Sequence, residues 1–183
     1  MNGEKEMKVE FTVGIVTIVL IVIAYFVYKL AKKWEEKRAI SSVDITPREV
    51  DQLVFLINKR FIVEKSNYFE MNPEAKMGKM PNILGNVLYC KNAVEAGSCG
   101  TSKHCSACRI RNTIKKSFGE KHGFDHLFVN MQLFTPQNKL VTAAVQVDGT
   151  YIEPQGKPRM IIDVKTLRPV GILEEENKQE SES

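Results

Sequence analysis

All four cysteines of this 183-residue chain lie in one window of nineteen residues, from Cys90 to Cys108. The spacing is C-x8-C-x5-C-x2-C, with Cys99 and Cys105 between the two ends. Thiols confined to one short window are more consistent with one common site than with scattered packing positions. Gly97 and Gly100 flank Cys99 and allow the backbone to turn tightly. We therefore expect this segment to fold back on itself and to bring the four thiols together.

An uncharged, apolar run occupies residues 11–28, close to the amino terminus. Its eighteen residues are near the lower length limit for a helix that crosses a bilayer. A cleaved signal peptide is the alternative, but the leader contains Glu4, Glu6 and Glu10 and no A-x-A cleavage pattern follows. The sequence therefore predicts an uncleaved transmembrane helix over residues 11–28.

The basic residues around this run predict its orientation. Five Lys or Arg residues follow the run between Lys29 and Arg38, and only Lys5 and Lys8 precede it. The positive-inside rule then predicts a single-pass protein of the inner (cytoplasmic) membrane, with the amino terminus outside and the body in the cytoplasm. Because that compartment is reducing, structural disulfides are disfavoured there.

The hydrophobic pattern of the body predicts five strands and one longer helix. Apolar runs at 53–57 and 61–63, on either side of Asn58-Lys59-Arg60, favour a hairpin over a single amphipathic helix from 47 to 63. Ile110, Ile114 and Phe118 recur every four residues and predict a buried stripe on a helix over 105–118. Strand-like runs follow at 126–134, 140–147 and 159–164, with a loop predicted over 148–158.

This order predicts an α+β fold, a five-stranded antiparallel sheet with helices on one face, preceded by one transmembrane helix. The expected segments are an external tail at 1–10, the transmembrane helix at 11–28, a juxtamembrane helix or linker at 29–49, the folded domain at 50–168 and an acidic disordered tail at 169–183.

Two stretches of sequence resemble PAS domains, the small α/β sensory modules of signalling proteins. One is L-V-F-L-I-N-K-R-F-I-V-E-K-S-N, and the other runs from G-N-V-L-Y-C through G-S-C-G-T-S-K-H-C-S-A-C. The second is similar to a bacterial PAS subgroup with the motifs G-x-x-L-x-C and G-C-G-T-S-x-x-C-x-x-C. The chain differs from that subgroup at Ser98 and Arg109. Residues that match the subgroup include all four cysteines, Gly85, Gly100, Thr101 and Ser102.

The resemblance covers about residues 50–168 and implies a module that binds a small ligand or cofactor, or dimerises, and passes a signal onward. Only residues 169–183 follow the resembling part. We therefore expect the signal to leave through the membrane helix or a separate protein partner; a homodimer is a further arrangement that the resemblance allows.

The cysteine window is a candidate metal or redox site formed by Cys90, Cys99, Cys105 and Cys108. Four thiolates can hold zinc in a tetrahedral site or complete the ligand set of an iron–sulfur cluster. Two alternatives stay open, a dithiol switch at Cys105 and Cys108 and structural cysteines without metal. His104 lies inside the window and could replace one cysteine ligand.

Composition and motifs exclude several other function classes. The stretch from Ser41 to Leu173 has a net charge of +6, but no nucleic-acid motif accompanies it, so we expect no nucleic-acid partner. No catalytic motif is present, and we do not expect an enzyme. The sequence thus predicts a membrane-anchored cytoplasmic PAS-like sensory or binding protein with a four-cysteine site. The alternatives are a metal-free scaffold or dimerisation module and a redox or electron-transfer protein.

Overall fold

The structure of the chain is a computed structural model that describes residues 3–47, 52–68, 81–135 and 138–169. It divides into two compact units, Met1–Ser42 and Val43–Ser183. The predicted acidic tail falls almost wholly outside the described residues, as do positions 69–80.

The first unit is one helix, α1, which spans Gly3–Ser41. Lys29 and Lys32 lie over the rings of Tyr25 and Tyr28, four residues earlier, at 5.5 Å and 6.0 Å from the ring centroids. The helix ends where the Ser42 hydroxyl donates to the carbonyl of Ala39 at 2.9 Å, which satisfies one of the last free carbonyls.

The prediction of a transmembrane helix at 11–28 is wrong, and with it the single-pass inner-membrane localisation. Among the described residues, no helix is both long and apolar enough to cross a membrane. The uncharged run that α1 contains ends at Tyr28, before Lys29. Its eighteen residues are fewer than the roughly 20 that a membrane-spanning helix typically needs.

The second unit contains a five-stranded antiparallel sheet with the strand order β2-β1-β5-β4-β3. Its strands are β1 Gln52–Asn58, β2 Val63–Ser66, β3 Phe124–Phe134, β4 Leu140–Ile152 and β5 Arg159–Pro169. The predicted hairpin is confirmed, and the single helix over 47–63 is wrong. The turn forms because Asn58 accepts the Arg60 N–H at 2.9 Å through its side chain, while Phe61 takes a positive φ of 64°.

The predicted loop over 148–158 is too long, because β4 continues to Ile152. Gly149 suggested a turn, but it is a strand residue that pairs with Ile162 of β5. The ring of Phe124 occupies the space that a side chain at Gly149 would need. Glycine is therefore required here for close packing and not for chain reversal. The reversal occurs after β4, around a short 3-10 turn at Pro154–Gly156.

Within the described residues from 81 onward, four helical segments precede β3. They are α2 Leu84–Val87, α3 Lys91–Glu95, a 3-10 helix Lys103–Ala107 and α4 Arg109–Glu120. The predicted stripe of α4 is buried, with Ile114 fully inaccessible to solvent. It packs in one cluster with alternate residues of the sheet, including Phe55, Val145 and Ile162. The predicted α+β fold with a five-stranded antiparallel sheet is confirmed.

Candidate four-thiol site

The four cysteines lie at four separate places along the chain between α2 and α4. Cys90 directly precedes α3 and forms an antiparallel bridge with Leu133 of β3. Cys99 lies in the loop after α3, and Cys105 lies inside the 3-10 helix. Cys108 is the N-cap residue of α4. The predicted helix over 105–118 therefore begins at Arg109, and only Cys108 is at its amino-terminal end.

These four side chains line one small cavity of about 50 Å³. Cys105 is buried and the other three are half-buried, and none of the four forms a disulfide. The rest of the wall is mostly apolar and includes Leu88 and Met131. The structure thus brings together all four cysteines that the sequence singled out.

The loop that carries Cys99 is held by Asn86, a residue of α2 that was not predicted as a site residue. The Asn86 side chain accepts the N–H of Cys99 at 2.7 Å and donates to the carbonyl of Pro81 at 2.8 Å. Asn86 is only 4% exposed, so these bonds form in a poorly hydrated environment. Its position inside the G-N-V-L-Y-C stretch, next to Gly85, was the available signal.

Gly85 lies directly against Cys99. A Cβ atom at Gly85 would be 2.6 Å from Sγ of Cys99 and 3.0 Å from its Cβ. Both distances are too short for non-bonded heavy atoms, so only glycine leaves the thiol in its present place. The match of Gly85 to the motif therefore has a steric reason in this chain.

Arg111 supplies the positive charge of the cavity. Among the described residues that line it, Arg111 is the only charged one. Its guanidinium group lies 4.5 Å from the centroid of the Phe61 ring, and Nη1 is 4.0 Å from Sγ of Cys99. Gly100 makes room for it, because a Cβ atom there would be 2.9 Å from the guanidinium carbon. Arg111 was not predicted as a site residue from the sequence, although it follows the last cysteine by about one helical turn.

The environment keeps two of the thiols protonated. Burial raises the pKa of Cys90, against opposing backbone hydrogen bonds from Ala93 and Asn92. Burial also raises the pKa of Cys99, although the Gly85 backbone and the Arg111 charge partly oppose it. Without a bound cation, both groups are therefore poor nucleophiles at neutral pH.

The thiols share the cavity without forming a finished coordination shell. Across the part of the chain that the structure describes, no three Cys, His, Asp or Glu side chains converge as a metal-ligand group. The donor set itself suits a soft metal, since it consists of four thiols with no competing carboxylate in the wall. Metal binding would require the thiols to move from the arrangement seen here.

The histidines lie outside this cavity. His104 is exposed and lines a neighbouring, larger cleft together with Cys90 and Cys108. His122 follows α4, with Nδ1 2.8 Å from the carbonyl of Gly123, and His126 occupies a bulge near the start of β3 with φ of 57°. Neither His122 nor His126 is a residue of the cysteine cavity.

No protein-family model matches the chain, and no curated protein shows significant similarity to it.

Proposed function

We propose that this chain is a PAS-like sensory and binding module whose four-cysteine site holds a soft metal ion and which acts through contacts with another protein. The observation that carries the proposal is the single cavity lined by Cys90, Cys99, Cys105 and Cys108. Four free thiols, contributed by four separate backbone positions, surround a volume of about 50 Å³.

The fold supports the PAS-like part of the proposal. A hairpin, a group of short helices, one longer helix and three antiparallel strands follow each other in the order predicted for the part of the chain that resembles PAS domains. The cysteine window lies immediately before α4, the longer helix. Gly85 and Gly100, which match the subgroup motif, are both in steric contact with parts of the site.

The size of the cavity favours a single ion over a multi-iron cluster. A volume of about 50 Å³ exceeds the ~15 Å³ that one water molecule needs in such a void, but not by a large factor. Zinc bound by four thiolates is a closed structural site that stabilises the surrounding loops. An iron–sulfur cluster uses the same ligands and is the competing occupant.

The residues around the thiols have separate roles in this proposal. Asn86 orients the Cys99 loop, Gly85 leaves room for its sulfur, and Arg111 offsets part of the negative charge of four thiolates. Because burial keeps Cys90 and Cys99 protonated, metal binding must release protons, and apparent affinity must increase with pH.

A dithiol switch at Cys105 and Cys108 is the second candidate function. Both residues lie on one 3-10 turn, where the Cys108 N–H donates to the Cys105 carbonyl at 3.4 Å. The raised pKa values of Cys90 and Cys99 argue against redox chemistry at those two positions. We propose no catalytic activity for the chain.

The test is to produce the full chain without air and to measure bound metal, sulfide and the visible spectrum. We expect one zinc per chain and no visible absorption. Brown protein that contains iron and sulfide would show that the site holds an iron–sulfur cluster instead of zinc. Metal-free protein that forms a Cys105–Cys108 disulfide under mild oxidant would support the dithiol switch. Metal-free protein with unreactive thiols would support the metal-free scaffold or dimerisation module.

Two variants make the metal measurement specific to the site. Cys99→Ser should abolish binding of one equivalent of zinc, because it removes one of four ligands. Lys103→Ala is the matched control, since Lys103 is exposed in the same segment and does not line the cavity. Equal zinc content in Cys99→Ser and the wild type would remove Cys99 from the site.

A further inference from the structure

β3 is the edge strand of the sheet next to the four-thiol site. Two hydrogen bonds show which of its residues direct their backbone groups away from β4. The Phe134 N–H donates to the Tyr89 carbonyl at 2.9 Å, and the Phe128 carbonyl accepts from Nη1 of Arg109 at 3.2 Å. Because this direction alternates along an antiparallel strand, Asn130 and Gln132 also present their backbone groups at the free edge.

Both ends of this edge are closed by other parts of the chain. At the start of β3, a bulge at His126 interrupts the register, and Arg109 covers the Phe128 carbonyl. At the other end, Cys90 bridges to Leu133. Between these points, the N–H groups of Asn130 and Gln132 and the carbonyl of Asn130 face no strand within the described part of the chain. Natural proteins usually cover or interrupt such an edge, so an open stretch indicates a partner.

A cleft of about 420 Å³ lies against this open stretch. Its floor is the run Val129–Gln132, and His104, Ala107 and Arg109 form part of the facing wall. The volume falls within the range of about 300–1,000 Å³ that is common for binding clefts. Among its described lining residues, Arg109 is cationic and none is Asp or Glu. The cleft therefore complements negative charge.

We propose that this cleft binds an extended segment of a partner protein, which adds as a short strand to the edge at Asn130 and Gln132 and directs an acidic side chain toward Arg109. Strand addition takes its affinity from main-chain hydrogen bonds and its specificity from alternate side chains. The inference deepens the protein-contact part of the proposed function and rests on it for the existence of a partner.

The position of the cleft connects the partner to the thiols. Five residues line both the cleft and the four-thiol cavity: Cys90, Asn92, Cys108, Ile110 and Met131. A change in the position of Cys90 or Cys108 on metal binding therefore alters the wall that the segment contacts. By thermodynamic linkage, the bound segment must change the affinity for metal by the same factor by which bound metal changes the affinity for the segment.

The test selects phage-displayed random heptapeptides on the full chain and then measures the affinity of a selected synthetic peptide. We expect acidic peptides to be enriched. Asn130→Pro should weaken binding at least tenfold, because it removes the outward N–H without removing a bond to β4. Asn130→Ala is the matched comparison, since it removes the same side chain but keeps the N–H group, and it should bind more tightly than Asn130→Pro. No enrichment of acidic peptides, or equal binding by the two variants, would overturn the proposal.

A second measurement leaves the protein unchanged, in case Asn130→Pro fails to fold. Methylation of alternate backbone nitrogens of the selected peptide should abolish binding in one register and spare it in the other. Binding that tolerates methylation in both registers would overturn strand addition. Zinc content, measured on the same samples, separates this result from the metal proposal.

Other occupants of the edge give different results. Binding that appears only after residues 174–183 are removed would assign the edge to the chain's own acidic tail. Dimers of the full chain that dissociate on Asn130→Pro substitution would assign it to a second copy. Either result overturns the assignment to a partner segment.

Discussion

Gly85 and Cys99 are in such close contact that a Cβ atom on Gly85 would lie 2.6 Å from the Cys99 sulfur. The two residues belong to different segments, α2 and the loop after α3, and Asn86 joins these segments by accepting the Cys99 N–H. The position of the thiol is therefore set by a contact across the fold as well as by its own loop.

Gly85→Ala should displace the Cys99 loop. We expect a loss of about 1–3 kcal/mol in the free energy of unfolding, typical of overpacking, together with weaker zinc binding. Gly119→Ala in α4 is the control, because nothing lies within 4 Å of its added Cβ. The control should gain up to about 1 kcal/mol from helix propensity. Urea unfolding and zinc titration check both variants; wild-type behaviour of Gly85→Ala would contradict the steric argument.

Gly100→Ala should disturb the site more than Gly97→Ala. Both glycines have positive φ, 99° and 77°, so both substitutions carry backbone strain of about 1–3 kcal/mol. Only the Cβ atom at position 100 would meet the Arg111 guanidinium, since nothing lies within 4 Å at position 97. We expect a larger loss of zinc affinity for Gly100→Ala, measured by competition with a chelator. Equal losses would show that the Arg111 contact is irrelevant.

Arg111→Met should weaken metal binding, because it removes the positive charge beside Cys99 while preserving much of the apolar stem. Arg111→Lys should give an intermediate affinity, since lysine keeps the charge but loses the planar contact with Phe61. Zinc competition at two salt concentrations checks the order of the three affinities. If Met and Lys variants bind equally, charge is not the reason for this arginine.

The metal-free chain should lose stability as pH rises above the ordinary thiol range. Burial raises the folded-state pKa values of Cys90 and Cys99, so the unfolded thiols ionise first, at about pH 8.5. The contribution of the two protonated thiols to the free energy of unfolding is therefore complete below that pH. It decreases as pH increases toward the folded-state pKa values. Urea unfolding from about pH 7.5 to 9.5 measures the slope. The double variant Cys90→Ser, Cys99→Ser should show a smaller slope; an unchanged one would refute the thiol origin.

Glu64→Ala should destabilise the sheet strongly. Nε of Arg159 lies 2.5 Å from Oε2 of Glu64, and the two side chains are only 9% and 16% exposed. Removal of the carboxylate leaves a buried guanidinium, which typically costs about 3–5 kcal/mol. Glu120→Ala is the control, because its pair with Lys116 is exposed and should contribute less than about 1 kcal/mol. Similar losses in the two variants, measured by urea unfolding, would contradict this reasoning.

The local spacing of apolar residues was sufficient to predict most of the secondary structure. The hairpin of β1 and β2 and the stripe of α4 were predicted because apolar spacing directly reflects which side chains meet the core. The prediction of a loop over 148–158 was wrong because glycine occurs both in turns and beneath packed aromatic rings, and Gly149 is of the second kind. The packed ring, that of Phe124, is far away in sequence.

Some residues of the candidate site could likewise be predicted from the sequence, and others could not. Cys90, Cys99, Cys105 and Cys108 stood out because four thiols in one window are rare. Asn86 and Arg111 did not stand out, because each acts through a neighbour that the fold supplies: Cys99 for Asn86, and Phe61 and Cys99 for Arg111.

By itself, the sequence determined the types of the elements, their order and the set of thiols, since periodicity, turn residues and cysteine spacing are local properties. Only the tertiary structure decided that the four cysteines line one cavity, that Arg111 supplies its charge and that no described strand covers part of the β3 edge beside it. These features depend on contacts between residues far apart in the chain, which form only when the helices close over the sheet.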